Sequence, residues 1–274
     1  MSQDEQRQNK TDRPGWKWSY LMVLVSQLAM VSLVYWSLSS RYFFVPSLVY
    51  WLMAALAMLT IVLMALGMMK KNISYIWWEA LLLIFAFCGI WILSLAVLPF
   101  WAGIILAGLV TLLPYIWPLT LWQDLAFLLG TVGIGLFVAM QFPYSVLLIC
   151  ALGVVIYEYL RSNQAPMATL LAEAFYVGLP PGILLPARFS GWLKPVDQTW
   201  QAGHGLVVGF LPLIVISAIS LRLAHRGWFW LLALAVLLAL GGGLWGQTGK
   251  HQLRGWIFLT IAVGFYALVG LFQL

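Results

Sequence analysis

Between Glu79 and Asp124 the chain carries no Lys, Arg, Asp or Glu. A soluble fold has few places for such a run, because a water-facing helix or strand needs a polar face. A second charge-free run joins Lys17 to Arg41. About 20 apolar residues cross a bilayer as one helix. The Glu79–Asp124 run is too long for one crossing, and the break "LPFWAG" (Leu98 to Gly103) divides it into two. Composition extends the argument to all 274 residues: 64% are hydrophobic and 8% charged, against about 25% charged in soluble domains. The runs are continuously apolar rather than alternating, which argues against a transmembrane β-barrel. The expected fold class is all-α, a polytopic membrane protein.

Apolar runs read against turn signals predict nine transmembrane helices, near 18–39, 46–69, 75–98, 103–121, 123–141, 143–161, 203–223, 227–246 and 254–273. Residues 1–16 form a polar tail expected to be disordered, and 17–161 hold the first six helices. A loop of mixed character fills 162–202, and 203–274 hold the last three helices. The first apolar segment is longer than a signal-peptide core and has no A-x-A site, so a cleavable signal is not expected. Within the loop, Met167 to Leu185 reads as interfacial, re-entrant or a tenth span.

Charge asymmetry arbitrates, since Lys and Arg favour the cytoplasmic side. With nine spans and a cytoplasmic N-terminus, Arg7, Lys10, Arg13, Lys17, Lys70, Lys71, Arg161, Arg188, Lys194, Lys250 and Arg254 lie inside. Only Arg41, Arg222 and Arg226 then lie outside. A tenth span would move Arg188, Lys194, Lys250 and Arg254 out and bring only Arg222 and Arg226 in. The nine-span reading, with a cytoplasmic 162–202 loop, keeps the stronger asymmetry. Trp16, Trp18, Trp77, Trp78, Trp101, Trp117, Trp122, Trp228, Trp230 and Trp256 gather at predicted span ends, as an interfacial aromatic belt requires.

Few groups remain for chemistry. No H-E-x-x-H, G-x-S-x-G or Walker pattern occurs, which disfavours zinc, serine-nucleophile and P-loop chemistry. Cys88 and Cys150 both fall in apolar spans and read as packing residues; no metal and no cofactor is expected. No basic patch interleaved with polar readers suggests nucleic acid, and the lipid bilayer is the expected partner. "GTVGIG" (Gly130 to Gly135) and "GGGLWG" (Gly241 to Gly246) lie in spans and read as close helix packing, the latter alternatively as a local unwinding. Ionisable groups beside spans are Glu79, Asp124, Glu158, Glu173, His204, Arg222 and His225. Glu79, Asp124, Arg222 and His225 stand at predicted ends, where solvation is the ordinary account, and Glu173 has the spacing of a surface helix.

Glu158 closes the sixth span in "VVIYEYL", and the seventh opens on "GHGLVVGFLPLIVISA" (Gly203 to Ala218). With "APMATLLAE" after the sixth span, these segments resemble the prokaryotic branch of the presenilin and signal peptide peptidase family of intramembrane aspartyl proteases. The resemblance covers Gln123 to Ala224 and the number of spans. It implies a presenilin-like arrangement in a prokaryotic plasma membrane, with one catalytic aspartate position at Glu158. The second falls at Leu206 when Gly203-His204-Gly205 is aligned, or at Val208 when Pro212 is. Tyr157, Gly203, His204 and Gly205 flank these positions as helpers.

The family's chemistry needs two carboxyl groups sharing one proton. Glu158 moves its carboxyl outward by about one methylene, and errors near 1 Å already cost on the order of a hundredfold. Leu206 and Val208 carry no proton, and no Pro-Ala-Leu precedes the last span, where "GKHQLRGW" stands. The expectation is a catalytically inactive homologue that binds transmembrane helices or peptides. Two rivals stay open: a divergent active protease using Glu158, with His204 as its acid–base partner, and a small-solute or lipid-precursor transporter.

Overall fold

Where it is described, the Glu79–Asp124 run folds as helices. A computed structural model describes residues 23–29, 31–32, scattered helical positions between 52 and 63, then 75–95, 98–162, 182–186, 189–201, 205–245 and 255–271. The helices are α1 (Tyr75–Leu95), α2 (Phe100–Ile116), α3 (Thr120–Gln141), α4 (Tyr144–Ser162), α5 (Val196–Gln201), α6 (Phe210–Arg226), α7 (Trp228–Trp245) and α8 (Gly255–Leu271). Two strands, β1 (Gly182–Pro186) and β2 (Gly205–Gly209), and a 3-10 turn at Phe189–Leu193 complete the described elements. The 1–16 tail, Glu173 and most of the first two expected helices lie outside the described residues.

Proline and glycine mark the ends. Pro99 stands immediately before α2 with extended backbone, and Pro212 is the third residue of α6. A first-turn N–H has no partner within its helix, so proline loses no bond there. Gly227 adopts φ +145° between α6 and α7, a backbone open to glycine and strained for other residues. The "GGGLW" part of the second glycine run stays helical to Trp245, without the unwinding considered from sequence.

Helix α3 lies at the centre, packed against α1, α2, α6 and β1. Its glycines set the spacing. A methyl at Gly133 would overlap the Gly89 carbonyl oxygen of α1, and one at Gly130 would lie 3.3 Å from the Ala86 Cα. On its other flank a methyl at Gly135 would lie 2.5 Å from the Ser217 Cβ of α6 and 2.9 Å from the Ile214 oxygen. "GTVGIG" is thus a two-sided helix contact, as small residues permit. The Phe85 and Phe127 rings meet at 6.2 Å nearer the helix starts, so α1 and α3 run parallel. Helix α6 also runs parallel to α3: Ile214 and Ser217 flank Gly135, and Arg222 reaches the Phe142 carbonyl beyond the end of α3.

A second group, α4, α7 and α8, joins this core through α6. Tyr144, the first residue of α4, donates its hydroxyl to the Tyr266 carbonyl near the end of α8 at 2.7 Å. Arg226 sits 5.2 Å from the Tyr144 ring centre, a cation–π distance. Helix α4 therefore starts at the bundle end where α6 finishes and runs antiparallel to it. Gln27 ties the N-terminal helical segment to α6, donating to the Leu213 carbonyl at 2.9 Å and the Ser217 hydroxyl at 2.7 Å.

The outward faces are as apolar as the interior. Helix α2 turns Gly103, Ala107 and Thr111 inward and exposes Ile105, Leu109, Leu112 and Ile116. On α4, Ile149 is 68% exposed and Cys150 is also exposed. Cys88 is a packing residue; Cys150, contrary to expectation, is not. Among the described residues α3 is the one helix long and apolar enough to cross a membrane, with 22 residues and a mean hydropathy of 1.7. At 1.5 Å per residue it is about 33 Å long.

The all-α expectation holds for the bulk of the described chain, with one local exception. The seventh helix was expected from 203, but 205–209 form a strand and α6 begins at Phe210. Paired β-branched residues, Val207 and Val208, bounded by Gly205 and Gly209 favour extended backbone. β1 and β2 are antiparallel, with Ile183 opposite Val208 and Leu185 opposite Leu206. Gly182 to Leu185 is therefore strand; the remainder of the apolar loop segment, 167–181, lies outside the described residues.

The glycine contact predicts a paired result. Gly133→Ala should destabilise the protein by about 1–3 kcal/mol through overpacking. Gly108→Ala, which meets no atom within 4 Å, should be neutral or stabilise by about 0.5–1 kcal/mol. Thermal unfolding in detergent checks both, and equal effects would remove the steric account.

Candidate functional site

The sequence-derived site divides between two places. Tyr157, half-buried, and Glu158 lie near the end of α4; the Glu158 side chain is outside the described residues. Gly205, Leu206 and Val208 lie on β2, while Gly203 and His204 fall outside the described residues. Helix α4 packs mainly along α8 and touches α6 only marginally. The backbone pairing sets Leu206 and Val208 against β1.

The acid that structure brings to prominence is Asp124. Sequence placed it at a span end and assigned it to water; it is only 6% exposed. Its Oδ1 accepts the Leu184 backbone N–H at 2.9 Å. The buried Trp192 indole N–H interacts with the same carboxyl, outside ideal hydrogen-bond geometry. The reason for the burial is tertiary: β1 and the 3-10 turn fold over the start of α3 and exclude water. Because Leu184 points its N–H at α3, it belongs to a pair not hydrogen-bonded across the sheet. Asp124 thereby caps the outer edge of β1.

Threonines complete the junction. The Thr120 N–H and hydroxyl each donate to the Lys194 carbonyl at 2.9 Å, satisfying the first orphan N–H of α3. The Thr120 and Thr199 hydroxyl oxygens are 3.2 Å apart, and the Thr199 hydroxyl reaches the Gly191 carbonyl at 2.9 Å. At the opposite bundle end, Arg222 is half-buried and donates to the Phe142 carbonyl, correcting the expectation of a solvated arginine. His225 is exposed, as a span-end residue should be.

Beside Asp124 lies a cavity of about 270 Å³ between α1, α2, α3 and the start of α5. Glu79, half-buried rather than freely solvated, and Asp197 line it together with Gln123 and Thr111. Sequence reasoning passed over Gln123 and Thr111. The available signal was the adjacent polar pair Gln123-Asp124 near the start of an otherwise apolar run. Among the described residues no three His, Cys, Asp or Glu side chains are grouped to hold a metal ion. Comparison of the sequence with protein-family models finds no match, and neither do comparisons with curated proteins and with solved structures.

Asp124 acts here as an acceptor for main chain. Asp124→Ala should strand the Leu184 N–H and destabilise the protein by about 1–3 kcal/mol. Asp124→Asn, which keeps an acceptor oxygen, should lose less. Thermal unfolding with hydrogen exchange at the Leu184 amide checks this; unchanged exchange in the alanine variant would disprove the cap.

Proposed function

We propose that the chain is a multi-span membrane protein of presenilin-like arrangement that holds an extended peptide or transmembrane segment without cutting it. Helix α2 turns small residues inward, and α2, α4 and α7 expose large apolar residues such as Ile105, Leu109, Ile149, Ile156, Phe229 and Leu232, which suits lipid better than water. The segment between α4 and α6 leaves and rejoins the bundle at one end, in keeping with nine crossings and no tenth.

The observation that carries the binding role is the side of β2 turned away from β1. Val207 lies opposite Leu184, so its N–H and C=O are directed away from β1, and β2 has no second strand partner among the described residues. Such an edge accepts an extended chain by main-chain hydrogen bonds. The absence of cutting rests on Leu206 and Val208, which can neither activate a water nor polarise a carbonyl, whichever of them aligns with the lost aspartate.

Reconstitution in liposomes with a labelled transmembrane peptide tests this. Capture without a cleaved product is expected, weakened at least tenfold when alternate peptide nitrogens facing β2 are methylated. A cleaved fragment that disappears in Glu158→Ala would instead establish the active protease, and solute flux without peptide capture would establish the transporter.

A further inference from the structure

We propose that the cavity between α1, α2, α3 and the start of α5 is a binding site for a small organic ammonium ion that also carries a hydrogen-bonding oxygen, such as an amino alcohol. Two independent features meet there. Glu79 and Asp197 supply carboxyl groups, and among the described residues no Lys or Arg lines the cavity. Gln123 and Thr111 on its wall are each only 6% exposed, and the Gln123 Nε2 and Thr111 Oγ1 have no hydrogen-bond partner among the described residues. A buried polar group left unpaired costs roughly 1–3 kcal/mol, so two lining one cavity mark a place that a polar guest completes.

The chemistry of the guest follows from the donors and acceptors. Carboxyl groups favour a cation. The Gln123 amide nitrogen is a donor only and calls for an oxygen on the guest; the Thr111 hydroxyl can donate or accept. Leu82, Leu83, Ala126 and Phe127 provide apolar walls, with Pro114 and Pro118 at the end of α2 and just beyond it. Pro114 lacks an N–H, so the Val110 carbonyl loses its helical partner there. An ammonium ion with an apolar body and a nearby hydroxyl matches all three surfaces. A bare divalent ion would leave the amide nitrogen unpaired. The site is separate from the β2 edge, and its test does not depend on peptide capture.

The probe is 2-amino-1-phenylethanol, titrated into the full-length protein in phosphatidylcholine nanodiscs and followed by calorimetry. Saturable binding is expected, weakened at least tenfold in Glu79→Gln and in Asp197→Asn. Phenylethylamine, lacking the oxygen, should bind more weakly than the probe to the parent protein. In Gln123→Leu the two amines should become equal, while the unfolding temperature holds or rises because an unpaired polar group has gone. Repeating the titration with phosphatidylethanolamine present separates the sources: competition assigns the ammonium to a lipid headgroup, and undiminished binding assigns it to a free solute. The proposal is overturned by the absence of saturable binding, by equal affinity for uncharged 2-phenylethanol, or by a response to magnesium alone that Glu79→Gln abolishes. Affinity unchanged in both carboxyl variants would also overturn it, and so would ordered water filling the cavity to the exclusion of the probe.

Discussion

The backbone-to-backbone approach of α3 to its neighbours is the constraint on which the rest of the structure depends. Gly130 and Gly133 let α1 close on one flank, and Gly135 lets α6 close on the other. Helices ordinarily pack at about 8–10 Å between axes, and larger side chains at the crossing push them apart. In lipid, no hydrophobic force draws helices together, so van der Waals fit and interhelical hydrogen bonds carry association. Ser217 serves both: its Cβ packs on Gly135 and its hydroxyl accepts from Gln27. Widening the α1–α3 contact would also open the cavity wall formed by Leu82, Ala86, Ala126 and Phe127. The shape of the cavity at the end of the bundle thus depends on glycines near its middle.

Much of the helical plan was legible because long apolar runs leave the backbone one way to satisfy itself. The expected 123–141, 143–161, 227–246 and 254–273 correspond to observed helices at 120–141, 144–162, 228–245 and 255–271. The same signal failed at 203–209. A short apolar run satisfies helix and strand periodicity alike, although Pro212, in the first turn of α6, marks the true start. The cue that decides it, two valines between glycines, is local and was readable. Asp124 failed for a different reason. Its burial comes from Leu184 and Trp192, some sixty residues further along the chain, and no pattern around "LWQDL" encodes that cover. Arg222 and Cys150 were misplaced in the same way, since the face a residue presents depends on which helices arrive beside it.

The two ends of the bundle are chemically unlike. One gathers Tyr144, Tyr266, Arg222 and Arg226, which lock α4, α6 and α8 by a hydroxyl-to-carbonyl bond, a ring contact at 4.5 Å and a cation over a ring. All of these fasten helix ends to one another. The other gathers Asp124, Thr120, Thr199, Gln123 and Thr111 around strands and a 3-10 turn.

Irregular backbone near lipid must find its hydrogen bonds within the protein. That requirement explains why an acid and two threonines are buried where the strands meet α3: Asp124 receives the Leu184 N–H, and Thr199 donates to the Gly191 carbonyl of the 3-10 turn. A continuous helix in the same place would need none of them. It would also offer nothing to a partner's main chain, because a helix spends its interior N–H and C=O groups on itself. Asp124 caps one side of the strand pair, and the other side has no strand partner among the described residues. The buried acid and a β2 side with no strand partner among the described residues are therefore two consequences of one choice: extended backbone in place of helix at 182–186 and 205–209. Asp124 thus serves to hold the outer side of β1 against the start of α3.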